Sequence, residues 1–567
     1  VSAHEPSSPG DADRGVRVLT ALVWGLAGVL SLLSLWVVVD RFRYPVDGEW
    51  MTGAVREGIA RIRDGKQLYV APSAHFIPFV YTPLYLWLAA QLARVCSPFV
   101  AAKLVSIAAT FAAGFGIHRI AVALGASRKW ARYALVLHLA TYPLTILFYD
   151  LERVDASYAA MIVLGVAVLL TRKSTAGALV AGALLGGAFF AKQAGLFAFA
   201  AALVGLVLAG ERRRAMLVGA AGIVVLGVFG TLLELRSGGW FHYYCLVLPR
   251  AHGIKAARLS ILFIQDVPKA FAYAAGSVAM TIPVAWSFLR TRTRPTGTSA
   301  DDVVFASVLG AGMAGAFVFR AHAGGWENVL VAWLPLGCVA AAVAASRAET
   351  RARALGSSAL VEKLLLGGLC LQLLAAMFDP AELSPNAEDL AERQRLTELV
   401  RDLEREGEVL VTITGEITRE PSPHAAALYD IVRAGDAAPR DLLEGLAARR
   451  FAALLVGTPD EFECPPQACT DLVLAIGRHY FVAGRRHERK HNGMTGYDGR
   501  PRWIMRPRKQ PLPPSSLEEL YRRQRVEMGL AEAESGKVAF DVEVHPVDAI
   551  EDRAERVLAG ELPNQGK

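Results

Sequence analysis

The residues best suited to chemistry fall in a few short segments. Asp47-Gly-Glu49 sets two carboxylates two positions apart, just after the first long apolar run. Tyr149-Asp150-Leu-Glu152-Arg153-Val-Asp155 crowds three acids and one base into six positions at the edge of another. Lys192-Gln193 forms the tip between two apolar runs. Further on come Trp240-Phe-His242-Tyr243-Tyr244, Arg250, Arg320, His322 and Gly324-Gly-Trp326-Glu327-Asn328. Carboxylates at such positions take up protons or balance cations, and arginine and lysine hold anions. Each segment also has a purely structural reading. The acids can cap a helix or neutralise their neighbours, the lysine can snorkel, and the aromatic residues can form an interfacial belt. Three acids at one span edge, and a lysine at a tip where cations are scarce, favour function. His138 and Trp333, inside apolar runs, read as packing residues.

The elements that must position these groups follow from composition. The chain has 567 residues, 53% hydrophobic and 20% charged, with a mean hydropathy of +0.33. A soluble chain carries about 25% charged residues. The composition excludes a disordered chain, a collagen and a disulfide scaffold. Apolar runs lie at roughly 17–39, 99–123, 130–149, 155–171, 175–191, 194–210, 215–235, 269–289, 303–319, 327–345 and 359–378. A span needs about 20 apolar residues, so these predict an α-helical polytopic membrane protein of about 11 transmembrane helices. The run at 83–95 lies between Pro83 and Pro98. It is short for a span and suits a helix lying in the interface.

The formal charge is +7 and the pI near 9.1, yet the basic residues cluster between apolar runs. There they orient the chain in the bilayer rather than bind nucleic acid. With 83–95 on the surface, Arg14, Arg17, Arg119, Arg128, Lys129, Arg132, Arg172, Lys173, Arg212 to Arg214, Arg290, Arg347 and Arg351 share one side. That side is expected to be cytoplasmic, with the N-terminus there as an uncleaved first helix. The long 40–98 loop and the C-terminal region are then outside a plasma (inner) membrane. All the chemistry-bearing segments fall on that outer side. Charges at span edges describe a site at the membrane surface, whereas a path through the bilayer needs ionisable groups at mid-depth.

Residues 1–378 are thus the membrane domain. Short strands at 409–413, 451–457 and 479–484 alternate with helical stretches, which predicts a soluble C-terminal α/β domain over 379–484. The basic and proline-rich remainder, 485–567, reads as a partly disordered tail. Cys464 and Cys469 could close a small disulfide outside the cell, and they make a poor zinc site without further ligands.

The order of these motifs resembles the GT-C superfamily of membrane glycosyltransferases, near the protein mannosyltransferase and aminoarabinose-transferase type. The matching features are an acid soon after the first helix, Gly65 to Tyr69, Pro83-Leu-Tyr85, the acidic loop Asp150 to Asp155, Lys192-Gln193, and Gly324 to Asn328. The resemblance covers about 1–345. Two features depart from it: the usual adjacent acidic pair is Asp47-Gly-Glu49, and Thr82 stands where many relatives have proline.

The resemblance implies transfer of a sugar from a polyprenyl-phosphate donor to a glycan, lipid or protein acceptor at the outer face, with inversion. Asp47 is then the expected base, with Glu49 as runner-up. Arg153, Lys192, Gln193, Arg250 and Arg320 would hold the donor phosphate. Asp150, Glu152 or Asp155 would orient the acceptor or hold a divalent cation such as Mg or Mn. Trp240, His242, Tyr243, His322, Trp326, Glu327 and Asn328 would line the sugar. The rival expectations are a transporter or lipid flippase, an oligosaccharide polymerase or ligase, and a sensor with a C-terminal ligand domain. Repeats and mid-depth charge would mark the first, and the sequence has neither.

Overall fold

The computed structural model describes residues 9–291, 297–322, 325–412, 417–457, 470–486, 501–514 and 516–535. The chain builds a helical bundle carrying a small mixed α/β domain at one end. The bundle begins with α1 (Pro9–Arg43). Two short helices follow, α2 (Thr52–Arg63) and α3 (Leu84–Leu92), and then α4 (Pro98–Ala123), α5 (Arg128–Leu144), α6 (Asp155–Thr171), α7 (Thr175–Ala191), α8 (Gly195–Leu208) and α9 (Arg212–Ser237). Broken helical turns fill 240–269, and four long helices complete the bundle: Phe271–Thr291, Ala300–Ala321, Leu334–Ala354 and Ser358–Ala375.

Each apolar run read from the sequence carries one of these helices, although the run at 130–149 outlasts α5, which ends at Leu144, and the run at 327–345 opens with a 3-10 turn over Glu327–Ala332. Among the described residues, six helices are long and apolar enough to cross a bilayer, and α6, α7 and α8 are shorter apolar helices. The outward faces carry the exposed apolar side chains that a lipid-facing surface requires, among them Leu32, Phe111, Ile223 and Leu289. Small residues set the closest approaches. A Cβ on Gly182 or Gly186 of α7 would meet the backbone of α9 at Val218 and Gly222, which is how helices pack closely in lipid.

α3 is too short to cross a bilayer. Its nine residues rise about 13 Å, against the roughly 30 Å of a hydrocarbon core. With α2 it forms an apolar cluster of Val55, Ile59, Tyr85, Leu86, Ala89 and Ala90 over α4.

The bundle's two ends differ in character. At one end, basic helix residues pair with acids: Lys129 with Glu349 at 2.6 Å and Glu362 at 2.8 Å, and Arg347 with Asp302 at 2.5 Å. At the other end lie the 40–98 segment, the 145–155 turn, Lys192, the 240–270 segment and residues 320–322 and 325–328, and there the C-terminal domain docks.

That domain has a four-stranded sheet in the order β1-β2-β4-β3, with β1 (Glu408–Val411), β2 (Phe451–Val456), β3 (Tyr480–Arg485) and β4 (Trp503–Pro507). β1 and β2 are parallel, and β4 runs antiparallel to both its neighbours. The sheet therefore extends past the boundary expected at 484. The strand Trp503-Ile-Met-Arg-Pro is short and flanked by basic and proline-rich sequence, which hides its pattern. The Leu517–Ser535 helix is folded as well. Its buried Glu527 accepts from Arg508 at 2.6 Å and from the Val482 amide at 3.1 Å. Cys464, Cys469 and most of the remaining tail lie outside the described residues.

Candidate active site

The acidic turn is the hub of the site. Pro143 helps end α5, and the chain then turns through Ile146 (φ 48°) and Leu147 (φ 60°). Left-handed backbone is costly for such side chains, so surrounding contacts must hold it in place. The turn is fixed by Arg41 at the end of α1, whose guanidinium donates to Leu147 O at 3.1 Å and to Asp150 Oδ1 at 2.5 Å. Tyr142 Oη donates to the same Asp150 oxygen at 2.8 Å.

Arg153 leaves this turn and faces the first outer loop. Its guanidinium lies 3.3 Å from both oxygens of Glu49, 2.7 Å from Tyr81 Oη and 3.4 Å from Asp155 Oδ2. The Phe148 and Tyr81 rings flank it. Asp155, fully buried at the start of α6, also accepts from Lys192 Nζ at 2.6 Å and Asn328 Nδ2 at 3.3 Å. Glu49, Arg153, Asp155, Lys192 and Asn328 thus form one connected network drawn from four separate stretches of chain.

Glu49 is the poised member of this network. Burial pushes its carboxyl up to about 7, although Arg153 and the Met51 amide pull it down. The Met51 amide donates to it at 3.0 Å. Asp47 is held differently. It accepts from Arg56 of α2 and from Arg393 of the Ala387–Leu403 helix, as well as from Thr52 Oγ1 at 3.2 Å. Two guanidiniums and a hydroxyl occupy its oxygens. Gly48 between them packs on the acidic turn, where a Cβ would stand 2.8 Å from Leu151. A bulkier residue there would push the loop off Leu151, which gives the Asp-Gly-Glu spacing a physical reason.

Other sequence-flagged residues lie around this centre. Glu152 is fully buried, with Lys103 Nζ at 4.0 Å and no hydrogen-bond partner on either oxygen. Gln193 donates to the carbonyls of Val80 and Cys245, so it ties loops together. Arg320 pairs with Asp266 and Glu327, each at 3.0 Å, and donates to Gly325 O at 3.1 Å. Trp326 stands partly exposed beside Arg258. Gly324 lies outside the described residues. His322 packs on His252, and burial with nearby positive charge lowers it to about 4.

The aromatic stretch does not line the acid network directly. Trp240 and Tyr243 pack on each other and on Tyr244, while His242 and Arg250 are exposed. Tyr243 Oη donates to Asp436 at 2.6 Å, across to the C-terminal domain. Among the described residues, no three His, Cys, Asp or Glu side chains form a group able to hold a metal ion. Asp150 and Asp155 are instead bonded to Arg41 and Lys192, so this donor set does not fit a resident divalent cation.

Arg41, Arg56, Lys103, Tyr81, Asp266, Arg393 and His424 were not singled out from the sequence as site residues. Arg41 and Arg56 flank the Asp47 segment and could have been found as partners for its acids. Arg393 is one of many charges on a helix and carries no local signal.

The same fold recurs in crystal structures of ArnT from Cupriavidus metallidurans. The apo structure superposes with a TM-score of 0.50 at 14% identity, covering 86% of this chain and 98% of ArnT. The structure bound to undecaprenyl phosphate gives 0.51 at 13% identity, covering 88% of this chain and 100% of ArnT. No family model matches the chain, and no curated protein matches it. The chain therefore shares the overall fold of these ArnT structures.

Proposed function

We propose that this protein is a glycosyltransferase that moves a sugar from a polyprenyl-phosphate donor to a cell-envelope acceptor, at the outer face of the plasma membrane. The observation that carries the reading is the buried network of Glu49, Arg153, Asp155, Lys192 and Asn328, on a fold shared with ArnT. ArnT has been crystallised with undecaprenyl phosphate, and a donor of that class suits a site with cations at a bundle edge. The N-terminus is cytoplasmic and the bundle crosses about eleven times in this reading.

The chemistry needs a base for the acceptor hydroxyl and positive charge for the departing phosphate. We assign Glu49, rather than Asp47, as the base. Its raised proton affinity suits a group that must take a proton near neutrality, while Asp47 already carries two guanidiniums. As the hydroxyl oxygen bonds to the anomeric carbon, the carbon–oxygen bond to the lipid phosphate breaks and the bonding pair leaves with the phosphate. The hydroxyl proton passes to Glu49. Direct displacement inverts the anomeric centre.

Lys192, partly exposed beside Asp155, is the cation placed to meet the phosphate as charge develops on it. In a site shielded from water such a charge stabilises the transition state strongly. Arg153 orients Glu49 and balances Asp155. Trp326 is the aromatic residue available to a sugar face. The test is incubation of purified protein with a panel of polyprenyl-phosphate sugars and measurement of released polyprenyl phosphate. Release dependent on Glu49 and Lys192 is expected. Failure of every donor, with the protein folded in detergent and in lipid, overturns the reading.

A further inference from the structure

Two side chains of the C-terminal domain reach into the loop that carries Glu49. Arg393 projects from the Ala387–Leu403 helix onto Asp47. That helix is a firm base. Asn386 and Asp389 cap its start reciprocally, its neighbouring Glu392 accepts from buried Arg486 at 2.7 Å, and Leu396 and Val400 sit in a core with β1. His424 begins the Ala425–Arg433 helix, and its Nδ1 accepts from the Ala426 amide at 3.2 Å. Its other nitrogen is thereby left to donate to Trp50 O at 3.0 Å. The His424 ring also packs on Trp50 at 5.3 Å and on Phe79 at 5.6 Å. The domain thus holds both residues that flank the Gly48-Glu49 pair.

We infer that Arg393 and His424 are positioning residues for transfer, by which the C-terminal domain fixes the place of the Glu49 carboxylate. The inference rests on the reading of Glu49 as the base. Asp47 is then the handle of the loop, gripped by Arg56 from below and Arg393 from above. A carboxylate must stand within hydrogen-bond reach of the attacking hydroxyl, and a misplacement of about 1 Å costs on the order of 100-fold. The domain touches the bundle elsewhere too. Asp441 accepts from the Ala74 amide at 2.9 Å, and Asp430 pairs with His252 at 2.6 Å. These contacts dock the domain without touching residues 47–51, and they supply the control.

The experiment compares Arg393→Gln, His424→Gln and Asp441→Asn in the full-length protein, by kcat and KM for a polyprenyl-phosphate sugar. The two loop-facing variants are expected to lose about tenfold to 100-fold in kcat, with KM for the donor within threefold. Asp441→Asn should stay within about twofold of the parent. Because Arg393 acts through Glu49, adding Arg393→Gln to Glu49→Gln should slow the enzyme little further. Unchanged kcat in both loop-facing variants overturns the inference, as does an equal loss in Asp441→Asn or multiplication of the two losses in the double variant. A second readout needs no turnover. By thermal melting, the loss in an Asp47→Asn, Arg393→Gln double variant should fall well short of the sum of the two single losses. Fully additive losses overturn the grip on Asp47. Coupled losses in a protein that turns over no donor overturn the transfer reading instead.

Discussion

Lys192 Nζ lies 2.6 Å from Asp155 Oδ1, the same oxygen to which Asn328 donates from 3.3 Å. A lysine at the C-terminal end of α7 and an asparagine 173 residues beyond Asp155 converge on one oxygen of this aspartate at the first position of α6. Asp155 thereby aims the ammonium and balances its charge. The lysine remains partly exposed while the aspartate is fully buried, so a lipid-borne anion would meet the cation first.

Replacing Lys192 should therefore strike the transition state more than donor binding. Lys192→Ala is expected to lower kcat about 100- to 1000-fold. Lys192→Arg should recover part of this, since it restores charge with a different hydrogen-bond geometry. Release of polyprenyl phosphate from the donor measures both. An Ala variant within threefold of the parent would show that the cation serves only Asp155.

Asp47 should matter more to stability than to chemistry. Asp47→Ala would leave Arg56 and Arg393, both largely buried, facing each other across an empty space. Breaking a buried pair by removing one partner costs about 3–5 kcal/mol. Thermal melting in detergent should accordingly fall much further for Asp47→Ala than for Glu49→Gln. The reverse order would show that the two guanidiniums do not depend on Asp47 for their place.

Gly325 is the position where a single methyl group should do visible harm. A Cβ there would stand 2.0 Å from Phe319 O and 3.1 Å from Arg320 Cα. Gly325 O also accepts from Arg320 and Arg258, so any shift would disturb the Arg320–Asp266–Glu327 group. Overpacking of this kind costs about 1–3 kcal/mol. A lowered melting temperature for Gly325→Ala is expected, against no loss for Gly367→Ala on the Ser358–Ala375 helix, where nothing lies within 4 Å of an added Cβ and alanine favours the helix.

The helical bundle was legible because a bilayer demands long apolar runs that satisfy their own backbone. Helices stand on those runs, and the short run ending before Pro98 is a nine-residue helix. The acidic turn and Lys192 were legible for a related reason, since charges at span edges are costly and stand out against apolar sequence. The choice between Asp47 and Glu49 was not. It depends on which acid meets Arg393, a residue 346 positions away from Asp47 on a helix crowded with other charges. Strand Trp503–Pro507 was hidden for a different reason. Four of its five residues are buried, so it shows no alternation, and its flanks read as tail. The aromatic stretch at 240–244 drew attention by composition alone, and its side chains turned out to serve one another and the domain seam.

The pH dependence follows from Glu49. Its carboxyl lies near 7, raised chiefly by burial and held down by Arg153. A base acts only when ionised, so activity should be low in acid and rise with pH until Glu49 has lost its proton. The plot of log kcat/KM should climb with unit slope and level off near pH 7. Arg153→Gln removes the cation that favours the ionised form, so the limb should move to higher pH as the plateau falls. Glu49→Gln should abolish the limb together with most of the rate, by a factor of about 100 to 10,000. A limb centred near pH 4, the ordinary carboxylate value, and insensitive to Arg153 would place the essential proton on another acid.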